Sequence, residues 1–73
     1  MTIHVESYSG YKADERPLRF QLGERWFGVE EVVDRWYDPQ AIYFRVRADD
    51  GNLYILRHSE PDDTWTLEAF RAG

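Results

Sequence analysis

The 73-residue sequence contains no cysteine. No disulfide can staple the fold, and a thiolate zinc site is excluded. It also lacks any run of about 18 apolar residues, the length a membrane-spanning helix needs. Its first ten residues do not show the charged-then-apolar layout of a secretory signal. A soluble cytoplasmic protein is the expectation. Lysine occurs once, at Lys12, and 14 acids stand against 9 bases for a net charge of −5. Nucleic-acid binding by whole-molecule electrostatics wants the opposite sign. No glycine-rich phosphate loop is present, and no cofactor is expected.

Aromatic mass is what the chain has instead. Three Trp, five Tyr and four Phe make up 16% of it. A chain this size buries only about 60% of the surface its unfolded form exposes. The rings, each able to bury ~150–250 Å², must therefore carry much of the core. No repeat, low-complexity tract or linker interrupts residues 1–73, which read as one domain. The arginines are unevenly placed: residues 16–48 carry six Arg against five acids, and both flanks are acidic.

Apolar alternation marks the strands. Ile3-His4-Val5-Glu6 reads as a short first strand, and the polar stretch from Ser7 to Arg16, ending at Pro17, as a loop. Leu18, Phe20 and Leu22 alternate with Arg19 and Gln21, which predicts a second strand with those three facing inward. Gly23-Glu24 is a compact turn.

Trp26 to Tyr37 admits two readings. Val29, Val32, Val33 and Trp36 have helical spacing, but three Val, two Trp, one Phe and one Gly in twelve residues favour a strand. The alternation Phe27, Val29 continues as Val32, Asp34, Trp36 if Glu30-Glu31 forms a β-bulge. A long bulged strand is the expectation, with a short helix the alternative.

Asp38-Pro39-Gln40 is a turn. Ile42, Phe44, Val46 and Ala48 then alternate with Tyr43, Arg45 and Arg47, giving one apolar side and one aromatic-basic side. Asp50-Gly51 signals a tight hairpin, since Gly accepts the positive φ such turns require. Leu53 to His58 pairs back, Ser59 to Asp63 turns again, and Thr64 to Phe70 closes the meander, with Trp65, Leu67 and Ala69 on one side. The expected fold is all-β: a single small antiparallel meander of about six strands curled into an SH3-like or related barrel. Trp26 or Phe27, Val29, Val32, Phe44, Val46, Ile55, Trp65 and Leu67 form its expected core.

Catalytic and metal-binding patterns are weak. His58 and Ser59 are neighbours at a strand end, where side chains point to opposite sides. His58 reads as a satisfied surface or rim histidine. His4 and His58 have no ligand spacing between them, and Asp49-Asp50-Gly51-Asn52 lacks the alternating ligands and terminal Glu of a calcium loop. Paired carboxylates such as Glu30-Glu31 are too common among fourteen acids to signal acid–base work.

One constellation remains. Tyr43, Arg45 and Arg47 share a side of their strand, Tyr54 is expected across from them, and Arg35 and Tyr37 are expected on the neighbouring strand. Rings and guanidinium groups on an exposed sheet suit single-stranded nucleic acid, where stacking contributes ~1–3 kcal/mol per base. They equally suit a protein partner, since Tyr, Trp and Arg dominate interface hot spots. The same residues can also simply cover a small sheet.

Pro17-x-x-Phe20, Gly23, Val29-x-x-Val32-Val33-x-x-Trp36, Tyr43-Phe44-Arg45-Val46, Gly51-x-Leu53-Tyr54 and Trp65-x-Leu67 form a recognisable string. In it the chain resembles a family of small bacterial domains of unknown function. Versions of that family lie near the C-terminus of Y-family (translesion) DNA polymerase-like proteins. The resemblance spans roughly residues 16–71 and implies an all-β fold, with no catalytic residues to carry over. The expectation is a non-enzymatic interaction module with a protein partner, no membrane association, and no metal. The alternative is an accessory domain for single-stranded nucleic acid in DNA repair, a reading that the net charge disfavours.

Overall fold

A computed structural model describes residues 1–8 and 16–72. Six strands follow one another: β1 (Thr2–Tyr8), β2 (Arg16–Leu22), β3 (Arg25–Tyr37), β4 (Ala41–Ala48), β5 (Leu53–Ser59) and β6 (Thr64–Arg71). All neighbours pair antiparallel, in the order β1-β2-β3-β4-β5-β6, and the sheet closes into a barrel. This is the expected small all-β barrel, consistent with an SH3-like architecture. Closure is made by Thr2 opposite Thr66 and Ile3 opposite Trp65, with the Leu67 amide donating to the Met1 carbonyl at 2.9 Å. The expected loop is shorter than Ser7 to Arg16, because both of those residues lie in strands; its residues 9–15 lie outside the described residues.

β3 is the corner of the barrel. Its first part, Arg25 to Gly28, pairs with β2, and Val29 to Tyr37 pairs with β4. A strand can serve two sheets only by bending, and β-bulges supply the bend. The expected bulge is present: Val29 faces Ala48 and Glu31 faces Arg47, leaving Glu30 as the extra residue. A second bulge follows, since Val32 faces Val46 but Asp34 faces Arg45, which leaves Val33 extra and exposed. The second bulge restores the phase that the first had shifted. Trp36 therefore lies in the outward row with Tyr43, not inward behind Val32.

The core is one contiguous cluster of Ile3, Phe20, Phe27, Phe44, Val46, Ala48, Tyr54, Leu56 and Trp65, with Val5, Leu22, Val29, Val32, Ile42 and Leu67 packed against it. Phe27 rather than Trp26 enters it. Besides Trp36, three inward assignments differ from expectation. Leu18 is 46% exposed while Pro17 is fully buried, because the register shifts between Glu6 and Ser7. Ile55 faces Arg45 on the outside, and Tyr54 and Leu56 point in. Ala69 pairs outward with Ile55, because a register shift leaves Glu68 extra between Leu67 and Ala69.

The turns are held by acidic side chains. Asp38 Oδ1 accepts from the amides of Gln40 (2.8 Å) and Ala41 (2.7 Å). Gly51, at φ 84°, closes the β4–β5 hairpin by donating to the Ala48 carbonyl at 2.9 Å. Asp49 clasps the corner strand: its carboxylate accepts from the Gly28 amide at 3.1 Å, and its own amide donates to the Gly28 carbonyl at 2.8 Å. A Cβ at residue 28 would lie 3.4 Å from that carboxylate, at the limit of a comfortable contact. The Asp49 and Asp50 carboxylates are thus occupied by donors of the corner strand and the hairpin.

Candidate interaction surface

The outward row of β4 is where alternation placed it. Tyr43, Arg45 and Arg47 point away from the core, and their partners across β5 are Arg57, Ile55 and Leu53. On the β3 side their partners are Trp36, Asp34 and Glu31. Trp36 and Tyr43 stack nearly parallel, with ring centroids 5.4 Å apart and planes inclined by 3°. The Arg45 guanidinium lies 5.8 Å from the Trp36 ring centre, and that of Arg57 lies 5.9 Å from the Tyr43 ring centre. Arg57 Nε also donates to the Tyr43 hydroxyl at 3.3 Å. That hydroxyl is the first cause raising the Arg57 guanidinium above its usual pKa. The result is a column of guanidinium and ring groups, Arg45, Trp36, Tyr43 and Arg57, running across three strands. Stacking of this kind contributes ~0.5–1.5 kcal/mol per ring pair, and an exposed cation–π contact ~0.5–1 kcal/mol.

Four of the six expected surface residues need comment. Tyr54 is interior, only 4% exposed, and packs against Phe20 at 4.9 Å and Phe70 at 5.1 Å. Its hydroxyl reaches the rim and donates to Asp50 Oδ2 at 2.6 Å, which is what permits a tyrosine there. Tyr54 is therefore not part of the outer face. Arg35 falls in the inward row opposite Phe44 and spreads its guanidinium over that ring, 5.1 Å from its centre, so it lids the core. Tyr37 shares the inward register, opposite Ile42, but is 65% exposed because it ends the strand. Arg47 is outward and forms an ion pair with Glu31. The sequence pattern missed Trp36, Arg57, Leu53 and Ile55. Trp36 was hidden by the second bulge, and the two aliphatics by the unbroken apolar run of β5.

Beside the aromatic column, Leu53, Ile55 and Ala69 with Phe70 line a shallow depression of about 230 Å³, flanked by Arg45 and Arg71. A second groove lies where β2 and β3 part, lined by Pro17, Leu18 and Val33 among the carboxylates of Glu30, Glu31 and Asp34.

His58 is interior rather than at the surface or rim. Its ring stacks on Trp65 at 4.4 Å, and Nε2 lies 2.7 Å from Asp63 Oδ1. Among the described residues no group of three His, Cys, Asp or Glu is arranged to hold a metal ion. Those residues contain no helix, hence none long and apolar enough to cross a membrane.

The chain matches no protein-family model, no curated protein and no solved structure.

Proposed function

We propose that this protein is a non-catalytic docking module of the bacterial cytoplasm, which binds a protein partner through the outer face of β3, β4 and β5. The carrying observation is the outward apolar pair Ile55 and Leu53, opposite Arg45 and Arg47 and next along the same face from the Trp36–Tyr43 stack. Half-buried aliphatics next to aromatic and Arg anchors make up the residue set that supplies most binding energy in protein interfaces. The strands beneath are fixed by the core, so the face is presented without ordering cost.

The alternative partner, single-stranded nucleic acid, draws support from Tyr43, Arg45 and Arg47 and from the resemblance to polymerase-linked domains. Base stacking needs free ring faces. Here Trp36 and Tyr43 are stacked on each other and engaged by Arg45 and Arg57, and Arg47 is held by Glu31. Those contacts and the net charge of −5 favour the protein partner.

The test is site-specific photo-crosslinking in cells, with benzoylphenylalanine placed at position 53 and, as control, at the exposed Glu24 turn. A discrete protein adduct from position 53 and none from position 24 is expected. Identical products from both positions, or none from 53, would remove the docking reading.

A further inference from the structure

The depression between Arg45 and Arg71 has a chemical character of its own. It is lined by Leu53, Ile55, Ala69 and Phe70 between the two arginines, and among the described residues no carboxylate lines it. Its volume of about 230 Å³ equals roughly seven or eight waters in the liquid, space for one large apolar side chain. Leu53 and Ile55 are only half-buried there, while Phe70, in register with inward Tyr54, turns its ring to the barrel end. An apolar contact at that edge would cover surface the barrel itself leaves wet.

The charges around it are unbalanced in one direction. Three arginines elsewhere have acceptors: Arg19 holds Glu6 with two hydrogen bonds at 2.7 and 2.8 Å, Arg47 pairs with Glu31, and Arg57 bonds the Tyr43 hydroxyl, while Arg16 and Arg25 lie over the rings of Tyr8 and Phe27. Arg45 and Arg71 have no ion pair among the described residues. The cross-strand neighbour of Arg45 is Asp34, whose Oδ1 accepts instead from the Arg35 amide at 2.8 Å. In a chain with 14 acids and 9 bases, two arginines without an ion pair among the described residues, Arg45 resting only on the Trp36 ring, bracket one apolar depression and mark a local positive site.

Resting on the docking reading above, we infer that this site receives an acidic, extended partner segment. A single large apolar residue of that segment seats on Leu53, Ile55 and Ala69, and carboxylates on either side of it meet Arg45 and Arg71. Guanidinium groups favour this pairing because their planar fork takes a carboxylate with two parallel hydrogen bonds. The net charge of −5 opposes an acidic segment over the molecule as a whole, so a local pair of arginines directs where it lands.

The experiment is selection of a phage-displayed random decapeptide library on the full-length protein, in parallel with Arg45→Glu/Arg71→Glu and Arg45→Ser/Arg71→Ser variants. Circular dichroism confirms that each variant is folded, which is expected because both side chains are exposed. Wild-type protein is expected to enrich sequences with one Leu, Ile or Phe flanked by Asp or Glu. Their affinity should fall about tenfold or more in the Ser variant and further in the Glu variant. Enrichment of neutral or basic peptides that lose binding in Ile55→Ser would overturn the acidic-segment inference and leave the docking face standing. Acidic peptides indifferent to both arginine variants would overturn it too. No enrichment over the phage scaffold, or binding of a labelled twelve-residue oligothymidylate at low salt through Arg45 and Arg71, would remove the docking reading itself.

Discussion

The hydroxyl of Tyr54 donates a 2.6 Å hydrogen bond to Asp50 Oδ2, tying the aromatic core to the β4–β5 turn four residues away. Asp50 also accepts from the Asn52 amide and its side-chain Nδ2, both at 3.0 Å. One carboxylate thus closes the hairpin and anchors the ring that fills the barrel end. Removing only the hydroxyl, in Tyr54→Phe, should cost about 1.5–3 kcal/mol, the range for a hydrogen bond to a charged group. For a domain this size that lowers Tm by roughly 6–24 °C. A melt within 1–2 °C of wild type would show that the bond contributes nothing.

The same pair sets a pH dependence. Burial works to raise the Asp50 carboxyl, yet the Tyr54 hydroxyl and the Asn52 amides together hold it below its ordinary value. Its contribution is complete above about pH 4 and disappears as pH falls through the lowered folded-state value. Tyr54 behaves in the opposite sense: burial foremost, then the Asp50 carboxylate, raises its pKa. Its contribution is complete below about pH 10 and is lost as pH rises through the raised folded-state value. Urea midpoints between pH 9 and 11 should fall for wild type, and this alkaline loss should shrink in Tyr54→Phe.

Phe44 is fully buried, stacked on Trp65 at 5.6 Å and covered by the Arg35 guanidinium. Phe44→Ala should cost ~3–5 kcal/mol by lost burial and cavity formation. A single core this small supplies about that much in total, so the variant should be unfolded at 25 °C. A dispersed amide spectrum from Phe44→Ala would contradict the placement of β4.

The second bulge of β3 can be tested through the tryptophans. With Val33 as the extra residue, Trp36 lies outside against Tyr43, whereas Trp65 is in the core. Trp36→Ala should therefore leave a folded protein, destabilised by about 1–2 kcal/mol through the lost ring and guanidinium contacts. Trp65→Ala should unfold it, at ~3–5 kcal/mol. Equal losses in the two variants would put Trp36 back on the inner side.

These residues also show what was legible in the sequence. The barrel could be read because β4 alternates strictly, Asp50-Gly51 fixes the hairpin, and the first bulge of β3 is forced by the phase change from Val29 to Val32. Tyr43, Arg45 and Arg47 followed from that alternation. Tyr54 did not, because Leu53-Tyr54-Ile55-Leu56 is apolar on both faces and periodicity gives such a run no inside. The hairpin register puts Tyr54 opposite buried Val46, and its hydroxyl is satisfied by Asp50, a partner the pattern does not weigh. Arg35 and Tyr37 went inward for a related reason: the Val33 bulge leaves no polar mark, since Val suits either side. The same blindness hid Ile55, whose outward position makes the proposed contact face.

The most direct measurement combines stability and binding in one variant, Ile55→Ser, in a chain carrying the benzoylphenylalanine crosslinker at position 53. Ile55 is only half-buried, so a loss of about 1 kcal/mol or less is expected. A cooperative melt a few degrees below that of the crosslinker-bearing parent is expected, together with loss of the position-53 adduct. A folded Ile55→Ser protein that crosslinks as the parent does, or one that unfolds as Phe44→Ala is expected to, would contradict that expectation.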